Sequence, residues 1–156
     1  MNGWSKTYAM TGWRLGWSVW PEKLIEHVFK FCVNSHSCVN TPAQYGAIAA
    51  LNGSENHLKD MMKEFGIRRK LIFDGLRSLK GVECSLPGGS FFVFPNVEKT
   101  GMTGEEFTEK CLEEAGVAII PGTAFGRNAT HNVRFNFATS RENISKAIEK
   151  IDKILK

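Results

Sequence analysis

The chain has 156 residues, of which 42% are hydrophobic and 23% charged, and its formal net charge is +4. This composition is typical of one ordinary globular domain and excludes a low-complexity protein. No apolar run approaches the roughly 18–20 residues of a membrane span, and the N-terminus lacks a signal-peptide pattern. The lysines and arginines are spread along the chain, so the sequence favours neither nucleic acid nor a membrane as partner, and we expect a cytoplasmic protein.

The first half of the chain is predicted to be helical after a loop-like start. Pro21 suits a first helical position, and apolar residues follow it at the helical spacing of three and four: Leu24, Ile25, Val28, Phe29 and Cys32. Thr41 before Pro42 predicts the cap and start of an Ala-rich helix, which should stop at Asn52-Gly53.

A longer helix is expected over about residues 55–79. Its apolar stripe consists of Leu58, Met62, Phe65, Ile72, Leu76 and Leu79. Gly81 lies just past the expected end, where a glycine often terminates a helix. Gly66 costs about 1 kcal/mol of helix propensity relative to alanine, so we expect a bend in the middle.

The second half reads as an α/β unit. After a turn at residues 87–89, SFFVF at 90–94 predicts a short strand, VAII at 117–120 a buried strand, and VRFNFA at 133–138 another strand. These strands alternate with two amphipathic helices. The apolar faces of the two helices are predicted to be Phe107, Cys111, Leu112 and Ala115, and then Ile144, Ile148, Ile151 and Leu155.

Both of these helices have a predicted start. Thr103 with Glu106 matches a capping box, in which a hydroxyl and a carboxylate satisfy the first free backbone N–H groups, and Gly116 predicts the end of that helix. Thr139 with Glu142 gives a second capping box for the last helix.

The cysteines give no support for a disulfide framework or a metal site. They are scattered along the chain: Cys32, Cys38, Cys84 and Cys111. Without a secretion signal they are most simply reduced thiols. His27 and His36 lie near the first two, but this spacing fits none of the common zinc patterns, so we predict ordinary packing and no metal.

The segment SKTYAMTGWRLGW at residues 5–17 sets Lys6 and Arg14 among aromatic, small and hydroxyl residues. A phosphate is bound well by a guanidinium group, hydroxyls and backbone N–H groups, and an aldehyde reacts with an amine. Pyridoxal phosphate is a ligand that requires both. From the spacing alone the alternative stays open that Lys6 is a solvated lysine and that Arg14 pairs with a carboxylate.

Four segments resemble one family in the same order along the chain. NGWSKTYAMTGWRLGW at 2–17 resembles the cofactor-lysine motif of the class I/II aminotransferases, which are aspartate aminotransferase-like, fold-type I enzymes dependent on pyridoxal phosphate. PGGSFFVFP at 87–95, GVAIIPGTAFG at 116–126 and NVRFNFATS at 132–140 resemble three later segments of that family.

The resemblance implies a fold and a domain organisation. We expect the C-terminal portion of the fold-type I fold: a small α/β domain with a short, mainly antiparallel sheet flanked by helices, plus a helical remnant of the large domain. Residues 1–60 should be that remnant and include the lysine motif, and residues 61–156 should be the small domain. Because the family's large domain precedes the lysine, we expect a truncated chain that is inactive alone and exposes an apolar face over its first sixty residues. For the full-length protein the resemblance implies a homodimer.

The resemblance also implies the site residues. Lys6 would form the Schiff base and move the proton between the substrate α-carbon and the cofactor. Arg14 would hold the cofactor phosphate. Many relatives have a serine three residues before the lysine, whose hydroxyl also binds the phosphate, but this chain has Gly3 at that position. Ser5 is the nearby hydroxyl that would bind the phosphate here. Arg134 would bind the substrate α-carboxylate through its fixed fork of donors, whereas a structural ion pair is its alternative role.

The function implied is amino-group transfer between an α-amino acid and a 2-oxo acid. Two alternatives stay open at this point. One is a β-eliminating carbon–sulfur lyase of the same fold, which uses the same lysine. The other is a non-catalytic folded fragment that serves as an interaction module.

Overall fold

The computed structural model describes all 156 residues and divides them into two compact units, Met1–Asp60 and Met61–Lys156. None of its helices is long and apolar enough to cross a lipid bilayer. The first unit begins with an antiparallel pair of short strands, β1 (Asn2–Gly3) and β2 (Gly16–Trp17), with a four-residue helix, α1 (Trp4–Thr7), between them. The expected loop-like start is therefore closed by a strand pair.

Two helices follow in the first unit, and both begin within a residue of their predicted starts. They are α2 (Glu22–His36) and α3 (Thr41–Asn52). The prediction that Thr41 caps α3 is wrong by one residue: the Asn40 side chain accepts a hydrogen bond from the Ala43 N–H at 3.0 Å. Pro42 still occupies the first turn, where its missing N–H costs no hydrogen bond.

The apolar residues of the first unit are mostly exposed. Its buried apolar residues are Leu15, Ala43 and Ala47, and α2 buries none of its residues. The exposed large side chains include Val19, Leu24, Ile25, Phe29, Phe31, Val33, Tyr45, Ile48 and Leu51. The predicted α2 helix is thus confirmed, while its apolar stripe meets solvent, as expected for the first sixty residues.

The longest helix, α4, spans Asn56–Ser78 and is uninterrupted at Gly66. The second half of its predicted stripe is buried, with Leu76 inaccessible to solvent and Leu79 beyond the helix end also in the core, whereas Met62 is exposed. Gly81 has a φ of +79°, the left-handed conformation in which glycine is favoured, and a Cβ there would lie 2.7 Å from the backbone of Lys99.

The second unit contains a three-stranded antiparallel sheet. Its strands are β3 (Phe92–Val93), β4 (Ile120–Pro121) and β5 (Val133–Asn136), in the order β3-β5-β4. β3 is shorter than the predicted SFFVF strand because Ser90 has a positive φ of 63° before it and Pro95, which has no N–H to donate, follows it.

The predicted strand at residues 117–120 is only partly present. Val117 completes the end of the preceding helix, because its N–H donates to the Cys111 carbonyl at 2.9 Å. Ile119 is buried without belonging to the ladder, and Ile120, the first ladder residue, is 40% exposed. In this segment the buried residue, Ile119, and the paired residue, Ile120, are therefore different residues.

The two remaining helices are α5 (Gly104–Ala115) and α6 (Arg141–Ile154). The capping box of Thr103 and Glu106 is confirmed in both directions, and Gly116 ends α5 in the left-handed conformation. The second predicted capping box is wrong: Ser140 is the cap of α6, and its hydroxyl accepts from the Asn143 N–H at 3.1 Å.

One core holds the second unit together. Its buried members come from α4, α5, α6, the sheet and the segments between them, and the most deeply buried are Leu76, Val93, Val97, Phe107, Cys111, Val133, Phe137 and Ile151. Leu112, predicted for the core face of α5, is instead half exposed. The prediction of a small α/β unit with a short antiparallel sheet and helices around it is confirmed.

Two glycines of α4 offer a matched test of this packing. A Cβ on Gly75 would lie 2.8 Å from the Ile148 side chain of α6, whereas a Cβ on Gly66 would meet nothing within 4 Å. We expect Gly75→Ala to lower the free energy of unfolding by about 1 kcal/mol or more through overpacking. Gly66→Ala should raise it by about 0.5–1 kcal/mol through helix propensity. Urea unfolding of both variants checks this, and equal effects of one sign would contradict it.

A carboxylate shared by two arginines joins α4 to α6. Hydrogen bonds from Arg141 and Arg68 hold the pKa of Glu64 at about 2, below its ordinary value of 4.5. The Arg68 Nε lies 2.7 Å from Glu64 Oε1, and Arg141 contacts both carboxylate oxygens.

The lowered pKa of Glu64 predicts a loss of stability in acid. Its contribution is complete at pH values above about 4.5 and disappears as the pH falls towards about 2. We expect Glu64→Gln to lower the melting temperature at neutral pH and to flatten its dependence on pH in this range. Asp74→Asn, which removes the exposed Lys70–Asp74 pair, is the control and should leave that dependence unchanged.

Candidate functional site

The segment between β1 and β2 forms a closed loop, which we call the lysine loop (residues 4–15). Gly3 pairs with Gly16 across the two strands, and the Trp4 N–H donates to the Leu15 carbonyl at 3.4 Å. A compact loop whose ends meet in this way is fixed by its own short-range contacts. The position of Lys6 therefore follows from the closure of the loop.

Backbone hydrogen bonds organise the first part of the lysine loop. Trp4 begins a short helix, α1 (Trp4–Thr7), and its carbonyl accepts from the N–H groups of Tyr8 at 3.1 Å and Met10 at 3.4 Å. The Ala9 N–H donates to the Lys6 carbonyl at 3.2 Å. Lys6 thus lies in a closed turn, and its side chain extends into solvent.

The lysine loop contains two of the chain's four non-glycine residues with positive φ. Ala9 and Arg14 both have a φ of 54°. This conformation costs a side chain of order 1 kcal/mol or more and persists only where the surroundings enforce it. Such residues are concentrated at functional sites, so the backbone of this loop supports a role beyond connection.

Helix α3 supplies the surface on which the lysine loop rests. Leu15 packs with Ala43 and Ala47, and Trp4 and Met10 pack against the same cluster. The ring of Trp13 lies so close to Gly46 that a Cβ there would be 2.7 Å from a ring carbon. Small residues on α3 therefore allow the close approach that holds the residue next to Arg14.

The lysine loop is positively charged without a compensating carboxylate. Residues 1–21 contain no Asp or Glu. Arg14 is exposed, and its Nη1 donates only to the Thr11 carbonyl, at 3.2 Å. Lys6 has no ion-pair partner, and the Ser5 hydroxyl makes no hydrogen bond in the structure. The alternative in which Arg14 pairs with a carboxylate is therefore absent from this structure.

A depression of about 530 Å³ lies beside Arg14, and its lining includes Ala9, Trp13, Asn40 and Ala43. The amine, hydroxyl and guanidinium of Lys6, Ser5 and Arg14 all belong to the lysine loop. Arg14 lines the depression, whereas Lys6 and Ser5 do not. The types of donor on the loop suit a ligand that combines an aldehyde with a phosphate, because no acidic side chain of residues 1–21 competes for either cation.

Arg134 lies on the central strand of the sheet in the second unit. It is opposite Ile120, and its guanidinium carbon lies 4.2 Å from the ring centroid of Phe92 and 4.5 Å from that of Phe125. It forms no ion pair and no hydrogen bond to an oxygen. The alternative of a structural ion pair is thus absent, and its N–H donors are available to an anion.

The two rings around Arg134 were missed by the sequence analysis. Phe92 is opposite Asn136, two residues from Arg134, so the two side chains share a face of the sheet. Two aromatic segments near an arginine in an apolar strand were the available signal. This signal could not be used from the sequence alone, because it requires knowing which strands pair and in which register.

The cysteines are free thiols, and no three His, Cys, Asp or Glu side chains are grouped closely enough to hold a metal ion. Burial raises the pKa of the Cys111 thiol to about 12 and also raises that of Cys84. Both thiols are therefore protonated near neutral pH and poor nucleophiles.

The chain was compared with known families and structures. The family model described as aminotransferase class I and II matches residues 1–151. The aspartate aminotransferase of Pyrococcus horikoshii is 42% identical over 99% of this chain, and the aromatic-amino-acid aminotransferase 2 of Thermococcus litoralis is 37% identical over 100%. The crystal structure of an aromatic aminotransferase from Pyrococcus horikoshii superposes with a TM-score of 0.94 at 40% identity, covering 99% of this chain and 42% of that one.

These matches establish the class of the protein. The chain belongs to the class I and II aminotransferase family. It spans about 40% of the length of the curated relatives that it matches. Its fold is the corresponding part of the fold of these enzymes.

The close approach of Trp13 to α3 predicts the effect of a single methyl group. Gly46→Ala should displace the Trp13 ring, lower the free energy of unfolding by about 1 kcal/mol or more, and speed amide hydrogen exchange in the lysine loop. Gly12→Ala is the control within that loop, since a Cβ there meets nothing within 4 Å. Unchanged exchange in Gly46→Ala would show that α3 does not hold the loop.

Proposed function

We propose that this chain is part of a pyridoxal phosphate-dependent aminotransferase, which transfers an amino group between an α-amino acid and a 2-oxo acid. The observation that carries the proposal is the lysine loop, where an amine and a guanidinium lie on one closed segment with no carboxylate partner. Membership of the aminotransferase family supports the same reaction. The relatives named above are aspartate and aromatic aminotransferases, which supports transfer over β-elimination.

The residues of the lysine loop fit this cofactor. When bound, pyridoxal phosphate supplies an aldehyde for an amine and an electron-accepting ring for the substrate's α-carbon. Lys6 would hold the aldehyde carbon through Nζ and, once displaced by the substrate, remove the proton from the substrate α-carbon. Arg14 would bind the phosphate through its donor fork, and the unpartnered hydroxyl of Ser5 would add a hydrogen bond.

Arg134 would bind the α-carboxylate of the amino acid. A guanidinium group pairs with a carboxylate through two parallel hydrogen bonds, which fixes the orientation of the substrate as well as its position. The absence of a competing acceptor supports this role. A lysine at this position would supply the charge but not the two-pronged geometry.

The organisation of the whole protein is part of the proposal. Residues 1–60 would belong to a larger cofactor-binding domain, and residues 61–156 would form the small domain. The division of the structure at Asp60 supports this assignment. We propose a homodimer for the full-length protein, supported by the exposed apolar side chains of the first unit. Four free thiols support a cytoplasmic location.

The cofactor site can be tested by reduction. Pyridoxal phosphate is added to the chain, borohydride is used to fix it to the amine that holds it, and the modified lysine is mapped by mass spectrometry. We expect labelling of Lys6, with an affinity about 10-fold lower in Arg14→Ala, because charge-assisted hydrogen bonds to phosphate are lost.

The control for this labelling is Lys30→Ala, which removes an exposed lysine paired with Glu26 in the same unit. It should leave the labelling of Lys6 unchanged. Labelling distributed over many lysines, with no effect of Arg14→Ala, would support the inert-fragment alternative. A spectral change on addition of an amino acid would then separate turnover from binding alone.

A further inference from the structure

The surroundings of Arg134 differ from those of Arg68 and Arg141 in the same unit. Arg68 and Arg141 are both held by the carboxylate of Glu64. Arg134 is held against two ring faces, at 4.2 Å from Phe92 and 4.5 Å from Phe125. Two means of fixing a guanidinium group are therefore present in one unit of the same chain.

The carboxylate and the aromatic rings differ in whether they use the N–H donors of the guanidinium group. A carboxylate neutralises the charge and uses the N–H donors, so a further anion must compete with it. An aromatic face attracts the cation through its quadrupole and leaves the in-plane donors unused. Only the second arrangement holds an arginine in place while its donor fork remains free for a ligand.

We infer that Phe92 and Phe125 are positioning residues, which hold the Arg134 guanidinium in the orientation that binds a substrate carboxylate. The inference rests on the proposed function, and it adds two residues that the sequence motifs did not assign. Neither ring contacts a carboxylate itself; each acts through Arg134.

The ring of Phe125 is itself held in place. It lies edge-on to Phe94, with centroids 6.0 Å apart and an interplanar angle of 83°. Such a perpendicular pair is a favoured aromatic geometry. Phe125 is nevertheless 50% exposed, so it contributes little to the core. A half-exposed ring that lies against a guanidinium group and edge-on to a second ring is better explained by positioning than by packing.

Phe92 is fixed by the sheet. Its N–H donates to the Ser90 hydroxyl at 3.1 Å, and its ring lies 4.5 Å from that of Phe91. The register of β3 and β5 places it diagonally across from Arg134 on the same face. One ring therefore depends on strand pairing and the other on the segment after β4, so the two can be tested separately.

The experiment follows Arg134 directly and does not require turnover. The chain is labelled with ¹⁵N-arginine, the side-chain signal of Arg134 is assigned by its loss in Arg134→Lys, and 2-oxoglutarate is titrated. We expect this signal to shift with the 2-oxo acid. Phe125→Leu and Phe92→Leu should each raise the apparent dissociation constant about 5-fold, the value of a partly desolvated cation–π contact.

Two further variants separate positioning from general structure. Phe125→Tyr keeps an aromatic face and should restore the affinity that Phe125→Leu loses. Phe73→Leu is the matched control, because Phe73 lies under a different arginine, Arg77, at 5.4 Å. It should leave the titration unchanged. Circular dichroism melting should show that Phe125→Leu remains folded, as expected for a half-exposed ring.

The outcomes distinguish this inference from the proposed function. If the wild-type signal does not respond to the 2-oxo acid, the carboxylate-binding role of Arg134 fails, and the inference fails with it. If the wild-type signal responds and both leucine variants bind the 2-oxo acid as tightly as the wild type does, only the positioning role is overturned. Loss of affinity in Phe125→Tyr equal to that in Phe125→Leu would also overturn it.

Discussion

The proposed site depends on arginines that are fixed without a carboxylate of their own chain. A guanidinium group paired with a carboxylate is stable but occupied, as Arg68 and Arg141 are by Glu64. Arg14 is held instead by a backbone carbonyl and Arg134 by two aromatic rings. Each keeps donors free, so each can bind an anionic group that comes from outside the chain.

Backbone strain and small residues together produce the lysine loop. Positive φ at Ala9 and Arg14 is unfavourable for residues with a side chain. The closed strand pair at Gly3 and Gly16 and the close packing of Trp13 on Gly46 offset this cost. The loop therefore carries a lysine and an arginine on one short segment that is closed by strand pairing.

The two units of the chain are stabilised to different degrees. The second unit buries side chains from three helices and a sheet in one core. The first unit buries Leu15 and two alanines, and most of its large apolar side chains are exposed. Because stability follows the apolar area removed from water, the first unit has the weaker hydrophobic stabilisation of the two.

The sequence by itself determined the local structure and the candidate chemistry. Helical spacing and capping residues gave the starts of α2 to α6 to within a residue or two, because these signals act between near neighbours in the chain. The resemblance of the lysine motif to the aminotransferase family gave Lys6, Ser5 and Arg14 as candidate site residues. The helical pattern did not determine which apolar side chains are buried: Leu112 has the pattern and is half exposed. Exposure in the first sixty residues was expected from the family resemblance and not from the pattern.

Only the tertiary structure decided the contacts between distant segments. Residues 92, 125 and 134 meet because strand register and the turn after β4 bring them together, and no local pattern encodes register. Contacts between distant segments also decided how short β3 and β4 are. They also decided that Ile119 is buried without pairing in the sheet. Contacts of this kind depend on where the whole chain runs, which a residue's near neighbours do not specify.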